Sequence, residues 1–373
     1  MRILLLLNAR FPTQKAYGIQ TITMAEGYAA LGHNVAIAFP RRSYERPLPM
    51  AGVRCLPFGP LLQIHAGWMF HLLRLLGVWS ALSVIRDFNP DVVIANDLLQ
   101  TAVLSKHWPT VWELHDVPDI RRFGRTRLIR RSASRVRGIV STNALKLDEL
   151  HKLVPKLPPH IVAPNAVTFE PDVYRHIDRE EARRRLLIPI DELALVYAGQ
   201  LFDWKGVDTL IESAAHLPSN VVIHIVGGSG SDLERCRNIA AHIPTDRARV
   251  VFHGQRPAEE IPTWLRAATL IVIPNSARFA VSVRDTSPLK LFEALAAGAA
   301  IVASDLPSIR EATGSSTAIA YVRADDPSSL ARAASSLIAN PSAIESMRRS
   351  AEQFPVLTGV ERARRIVEFL RGI

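Results

Sequence analysis

The sequence predicts an α/β protein built from two doubly wound, Rossmann-like domains facing across a cleft. Three observations carry that expectation. A chain of 373 residues is longer than one hydrophobic core usually supports, so two domains are the expected division. Short apolar runs alternate with longer amphipathic stretches, the pattern of parallel strands covered by helices on both faces. The series stops at a charged stretch, Arg179-Glu-Glu-Ala-Arg-Arg-Arg185, and then starts afresh. With 48% hydrophobic and 21% charged residues, and 19 Gly and 25 Pro scattered along it, the chain is neither disordered, collagen-like nor of low complexity.

The first element is the strand Ile3–Leu7, five apolar residues ended by Asn8, Arg10 and Pro12 and too short for the apolar core of a secretory leader. A helix near Gln20–Leu31 follows, closed by Gly32 where a C-terminal glycine is expected, and leads directly into strand Val35–Phe39. Leu61–Ile85 is the longest apolar stretch, and His65, His71 and Arg74 within it favour an amphipathic helix over a bilayer span. Strands Asp91–Ala95, Thr110–Glu113, Gly138–Ser141 and His160–Ala163 complete a first domain, residues 1–175. Strand Ala194–Tyr197 opens a second, residues 190–358. Its expected order is helix Gly206–His216, strand Val221–Val226, helix Ser231–Ala241, strand Val250–His253, helix Glu259–Ala267, strand Leu270–Ile273, helix Pro288–Ala297 and strand Ala300–Ala303. The last helix, Val360–Leu370 within residues 359–373, has no strand after it and is free to pack back on the first domain.

Lys and Arg outnumber Asp and Glu by 45 to 35, and Arg121 to Arg137 holds eight arginines and no acid. Such a block is a solvated helix face or a surface for an anionic partner: nucleic acid, anionic lipid or an anionic substrate. No helix-turn-helix, zinc-finger or RNP pattern accompanies it, so nucleic acid is not expected. Arg127, Arg130, Arg131 and Arg135 fall at helical spacing with Leu128, Ile129 and Val136 nearby, which fits reversible docking on an anionic membrane surface. Simple solubility, or direct binding of an anionic acceptor, fits the same arginines. Cys55 and Cys236 have no His or Cys at ligand spacing, and Asp325-Asp326 lies in a late loop, so no zinc site, disulfide framework or metal-binding Asp-x-Asp pair is expected. The expected location is the cytoplasm, peripheral on the inner face of the membrane if the arginines dock.

Ligands of doubly wound sheets bind outside the carboxyl ends of the strands. Tyr197-Ala-Gly-Gln-Leu-Phe-Asp-Trp-Lys-Gly206 runs from a strand end through a glycine turn to a lysine at the mouth of a helix, so Gly199 and Lys205 are candidates for phosphate binding. Asp285-Thr-Ser-Pro-Leu-Lys-Leu-Phe-Glu293 sets one carboxylate before a helix and one inside it. Thr286 or Ser287 suits the N-cap and Pro288 the first turn, whose free N–H groups would receive a diphosphate. The plainer reading is a capped helix with a surface glutamate. His115 follows a strand at the sheet's carboxyl end, unlike the isolated His65, His71, His107 and His216, which read as surface or core residues. His253-Gly254 is a candidate turn for holding a base through backbone groups, and Trp204 reads as a packing residue.

Together these segments resemble the family 4 glycosyltransferases of the GT-B fold, retaining enzymes that use nucleotide sugars. The family's acid, seven residues, acid signature matches Asp285 to Glu293, followed by Ala-Leu-Ala-Ala-Gly298 and Ile301-Val-Ala-Ser-Asp-Leu-Pro307. Gly199 to Gly206 and Val226-Gly227-Gly228-Ser-Gly230 match its glycine turns, while Gly18-Ile-Gln20, Glu113-Leu-His115-Asp116 and Pro164-Asn165-Ala-Val167 resemble segments of its first half. The resemblance implies Glu293 on the donor ribose, Asp285 on the transferred sugar, Lys205 on the diphosphate and His115 beside sugar and acceptor. His115, Asp285 and Lys205 are the implied catalytic residues, with Gly18, Gly199, Gln200, Gly227, His253, Ser287, Pro288 and Lys290 completing the donor contacts. Two departures stand out. Asp285 replaces the commoner Glu, and Gln200 stands where the family often has an arginine, a missing charge that Lys290 or Arg284 would replace. The implied reaction moves a hexosyl unit from a nucleotide diphosphate sugar to an acceptor hydroxyl, lipid-linked as one expectation, in glycan, glycolipid or surface polysaccharide synthesis. No metal and no cofactor beyond the donor is expected. A dinucleotide-dependent oxidoreductase is disfavoured because the first strand-to-helix turn lacks G-x-G-x-x-G. A non-catalytic sugar-nucleotide or lipid-binding protein of the same fold stands as the alternative.

Overall fold

A strand that is apolar on both faces is satisfied only inside a sheet covered on both sides, and β1 (Arg2–Leu6) is such a strand, with Ile3 to Leu6 all buried. The computed structural model describes residues 1–7, 11, 16–40, 50–59, 79–115, 117 and 124–373, which fall into two compact units. The first joins Met1–Thr168 to Leu357–Ile373 and the second is Phe169–Val356.

In the first unit β1 pairs in parallel with β2 (Asn34–Pro40) on one side and β4 (Val92–Ala95) on the other. The sheet has seven strands in the order β3-β2-β1-β4-β5-β6-β7, with β3 at Val53–Phe58, β5 at Thr110–Leu114, β6 at Gly138–Ser141 and β7 at His160–Val162. Helices α1 (Ala16–Ala30), α2 (79–88), α3 (Leu98–Leu104), α4 (Arg125–Ala133) and α5 (Ala144–Leu153) alternate with the strands. The edge strand β3 is not foreseen from the pattern, and Pro57 within it explains why. Proline has no N–H to donate and is tolerated in a sheet only at an edge, where the sequence signal for a strand is weakest. Of the long apolar stretch Leu61–Ile85, residues 61–78 lie outside the described residues, and helix α2 contains the rest.

The second unit begins with α6 (Pro171–Arg175) and α7 (Arg179–Leu186). Its six parallel strands run in the order β10-β9-β8-β11-β12-β13: β8 Leu193–Ala198, β9 Val221–Val226, β10 Arg249–Gly254, β11 Leu270–Ile273, β12 Ile301–Ser304 and β13 Ile319–Val322. Helices α8 (Val207–Ser213), α9 (Gly230–Ala240), α10 (Ile261–Ala267), α11 (Leu289–Ala296), α12 (Pro307–Thr313), α13 (Pro327–Ile338) and α14 (Pro341–Glu352) cover it. The strand order reverses between β1 and β4 in the first sheet and between β8 and β11 in the second, and at such reversals the loops leave a ligand crevice.

The division at Thr168 and Phe169 lies upstream of the junction expected between residues 175 and 190. The charged stretch is not a linker. It is α7, and Arg183 within it is 1% exposed, donating to the carbonyls of Ala267, Pro189 and Ile190 and to Thr269 Oγ1. Four of its five N–H donors are met in this way, which offsets part of the cost that burial puts on the charge, so the helix is bound into the second unit. The chain then returns to the first unit as α15 (Gly359–Gly372), opened by a capping box between Thr358 and Glu361. Here α15 and α1 touch through glycine: a Cβ added to Gly27 would stand 2.3 Å from the Gly359 carbonyl oxygen.

Candidate active site

In the second unit, the loops leaving β8, β9 and β11 crowd together at the strand reversal, and glycine permits it. Gly199, at φ 148°, donates its N–H to Val226 O at 2.8 Å, and a Cβ on Gly227 would lie 2.2 Å from Gly199 O. Gly206, at φ 65°, ends a short turn over Asp203–Lys205, and a Cβ there would meet Pro274 O at 2.0 Å. The Trp204 carbonyl accepts from Ser276 N at 3.1 Å and Ser282 Oγ at 3.0 Å, binding this turn to the segments that follow β11.

Two lysines reach this corner. Lys205 Nζ sits 3.7 Å over the Trp204 ring, and burial brings its ammonium down to about 7. Lys290, on α11, donates to the Tyr197 hydroxyl at 2.7 Å, and that hydroxyl donates on to the Gln200 carbonyl at 2.5 Å. Burial pushes Lys290 well below the ordinary lysine range, and the nearby Lys205 charge pushes it further, with Glu293 acting the other way. A Cβ on Gly199 would lie 2.5 Å from Lys290 Nζ, so the lysine occupies the space that glycine leaves. Among the described residues no carboxylate forms an ion pair with either ammonium, an arrangement that favours an anion. Tyr197 is the component that sequence reasoning missed, and it lies 93 positions from Lys290.

The two acids are held differently. Asp285 closes a π-helical turn, Val281–Asp285, rather than standing in an open loop, and is 8% exposed. Arg284 grips it with two bonds, Nε to Oδ1 at 2.5 Å and Nη2 to Oδ2 at 3.0 Å, so its charge is matched within its own turn. Glu293 accepts from the Tyr174 hydroxyl at 3.2 Å. The start of α11 differs from expectation. Pro288 is the cap residue instead of lying in the first turn and makes no side-chain cap bond, while Thr286 and Ser287 are buried. At His253, where the backbone of the turn and not the ring is the candidate for holding a base, the ring is packed. It stands 4.2 Å from the Trp264 ring centroid and 2.9 Å, Nε2 to Nδ1, from His224, which in turn contacts Glu192. Burial, then His224 and Arg256, bring His253 down to about 4.

The first unit carries its own constellation. His115 follows β5, and Nε2 lies 3.5 Å from Glu113 Oε2. Glu113 Oε1 accepts from Arg362 Nη2 at 2.7 Å. Burial alone would raise the Glu113 carboxyl, but Arg362 and His115 outweigh it and hold it well below the usual range. Gly18, expected in a turn, lies in the first turns of α1. Gln20, two residues on, donates to Ala166 O at 2.7 Å and accepts from Ala166 N at 3.2 Å. In the arginine-rich run, Arg121 to Phe123 lie outside the described residues. Arg127, Arg130, Arg131 and Arg135 are exposed, but Ile129 and Val136 are buried and Leu128 packs against the same core, so the apolar area expected beside the arginines is spent on folding. Among the described residues no three His, Cys, Asp or Glu side chains stand where they could hold a metal ion, and no helix is long and apolar enough to cross a membrane.

Residues 17–179 match the family model described as Glycosyl transferase 4-like domain, and residues 192–340 match Glycosyl transferases group 1. D-inositol 3-phosphate glycosyltransferase 1 of Catenulispora acidiphila is 27% identical, over 90% of this chain and 85% of that protein. Sucrose-phosphate synthase from Thermosynechococcus elongatus superposes with a TM-score of 0.83 at 19% identity, covering 100% of this chain and 98% of that one. HepE of Anabaena, solved in complex with UDP, gives 0.78 at 16% identity over 100% of both chains, and has also been solved with UDP-glucose. At these identities the solved structures speak for the fold, two Rossmann-like domains of the GT-B type. With a glycosyltransferase model matched in each half, the chain belongs to the family 4 glycosyltransferases of the GT-B fold.

Proposed function

We propose that the enzyme moves a hexosyl unit from a nucleotide diphosphate sugar to an acceptor hydroxyl with retention of configuration and without a metal ion. The observation that carries this reading is the pair of lysines, Lys290 against Gly199 and Lys205 near enough for its charge to act on Lys290, with no carboxylate paired to either among the described residues. Negative charge grows on the departing diphosphate as the glycosyl bond breaks. Ammonium groups already fixed in place therefore stabilise the transition state more than the bound donor. Lys290 is the cation that replaces the charge absent at Gln200, because Arg284 is engaged with Asp285. Glu293 would accept from the ribose hydroxyls, Asp285 would touch the transferred sugar, and His115 would serve the acceptor side. The UDP and UDP-glucose complexes of HepE support a nucleotide sugar as donor.

The acceptor in this reading is lipid-linked, reached when the exposed arginines of α4 meet anionic headgroups. With Ile129 and Val136 buried, that attraction is electrostatic. The test is transfer from a panel of nucleotide sugars to membrane extract in the presence of EDTA, with mass spectrometry of the product and its anomeric configuration read by NMR. A retained anomer formed in EDTA is the expected result. Absence of transfer from every donor defeats the reading, and transfer restored only by added manganese or magnesium defeats its metal-free form.

A further inference from the structure

We propose that Glu113, held by Arg362 of the C-terminal helix, is a positioning residue that fixes the tautomer and orientation of the His115 ring. The proposal rests on the reading of His115 as a group beside the reacting sugar. It starts from an anomaly of sequence: β5 reads Thr-Val-Trp-Glu-Leu and is otherwise buried, yet carries a carboxylate. A buried carboxylate persists only when it is paired and hydrogen-bonded. Here the partner is delivered from 249 positions away. Arg362 is 1% exposed, gives Nη2 to Glu113 Oε1 at 2.7 Å and spends Nε on Ala163 O at 3.2 Å, so its fork is locked.

The second carboxylate oxygen is left facing His115 Nε2 at 3.5 Å. The histidine backbone is pinned independently, since Lys146, itself fully buried, donates to His115 O at 3.0 Å and to Leu114 O at 3.4 Å. With the main chain fixed, the ring torsions are the freedom that Glu113 removes. An ionised carboxylate only accepts, so it selects the tautomer with hydrogen on Nε2 and leaves Nδ1 as the lone pair offered to a ligand. Contacts of this kind shorten when substrate closes on them.

Replacing Glu113 by Gln keeps the shape and the acceptor for Arg362 but lets an amide N–H₂ turn towards the ring, which favours the opposite tautomer. The first experiment is ¹⁵N NMR of histidine-labelled protein at alkaline pH, with the His115 resonances assigned from H115A. Hydrogen on Nε2 in the native protein and on Nδ1 in E113Q is expected. Hydrogen on Nδ1 in the native protein, or one tautomer in both proteins, overturns the proposal. The second is a double-mutant cycle in the transfer assay. E113Q should lower kcat roughly a hundredfold with donor KM unchanged, and should cost nothing further in the H115A background. Equal losses in both backgrounds mean that Glu113 does not act through His115. A native protein that transfers no sugar sinks the functional reading, while the tautomer comparison still decides this one.

Discussion

A lysine ammonium brought down to about 7 is half neutral near neutral pH, and its charge then depends on what binds it. A diphosphate between Lys205 and Lys290 would raise both towards their ordinary range, because an opposite charge favours the protonated form. Donor binding is therefore expected to take up protons above about pH 7, where free Lys205 has lost its charge, and to weaken as pH rises from there. Calorimetry in buffers of different ionisation enthalpy reads the uptake directly, and binding without proton exchange would remove the lysines from the diphosphate. Lys290→Gln should cost about 2–3 kcal/mol in kcat/KM, and Gln200→Arg in that background should recover part of it by restoring a cation at the same corner. Kinetics on the two variants decide this. Lys205, Asp285 and Glu293 are legible from the sequence because each lies in a short segment whose spacing is itself the signal. The perch of Lys290 on Tyr197, and the grip of Arg362 on Glu113, join residues remote in the chain, and no local pattern announces them.

Elements register the same physics in their contacts. Alanine at position 27 should favour helix α1 by about 1 kcal/mol on propensity alone. Against that, its Cβ would lie 2.3 Å from a backbone oxygen of α15, and forcing the helices apart costs about 3 kcal/mol. Gly27→Ala is thus expected to destabilise the first unit by about 2 kcal/mol, read as a lower urea midpoint. In the second unit, His224 on β9 and His253 on β10 are both held below the ordinary histidine range, mainly by burial. A histidine kept neutral in the fold contributes stability above its unfolded value near 6.5, and that contribution is lost as pH falls towards the folded value of about 4. Urea midpoints should decline across this interval, and a His253→Phe variant, which retains a ring against Trp264, should decline less. A slope unchanged in the variant would remove His253 from the acid response. Nearly every central strand is legible from its apolar run. Of the four edge strands among the described residues, β7 and β10 are legible while β3, interrupted by Pro57, and β13 are not, and the π-helical turn at Val281–Asp285 escaped because nothing in its composition separates it from a loop.

For the molecule as a whole, the alternation of strands and helices gave away two Rossmann-like units, while the boundary was hidden. The charges of α7 look like a linker until Arg183 is seen to be buried. Surface charge governs the prediction that belongs to this scale. The protein should sediment with anionic vesicles and not with neutral ones, at about 1 kcal/mol per arginine near the surface. High salt, or neutralising Arg127, Arg130, Arg131 and Arg135 together, should abolish it. Equal recovery in the supernatant with both lipids would end the membrane proposal. The discontinuity of the first unit reaches further, into the order in which the protein is made. A ribosome delivers all of Phe169–Val356 as one uninterrupted piece, able to fold as soon as it emerges, while the unit begun earlier still lacks Leu357–Ile373. Until that segment arrives, Glu113 waits without Arg362 and the glycine seam of α1 lies uncovered. The half synthesised first is therefore the half completed last, and it is the nascent state most in need of a chaperone's protection.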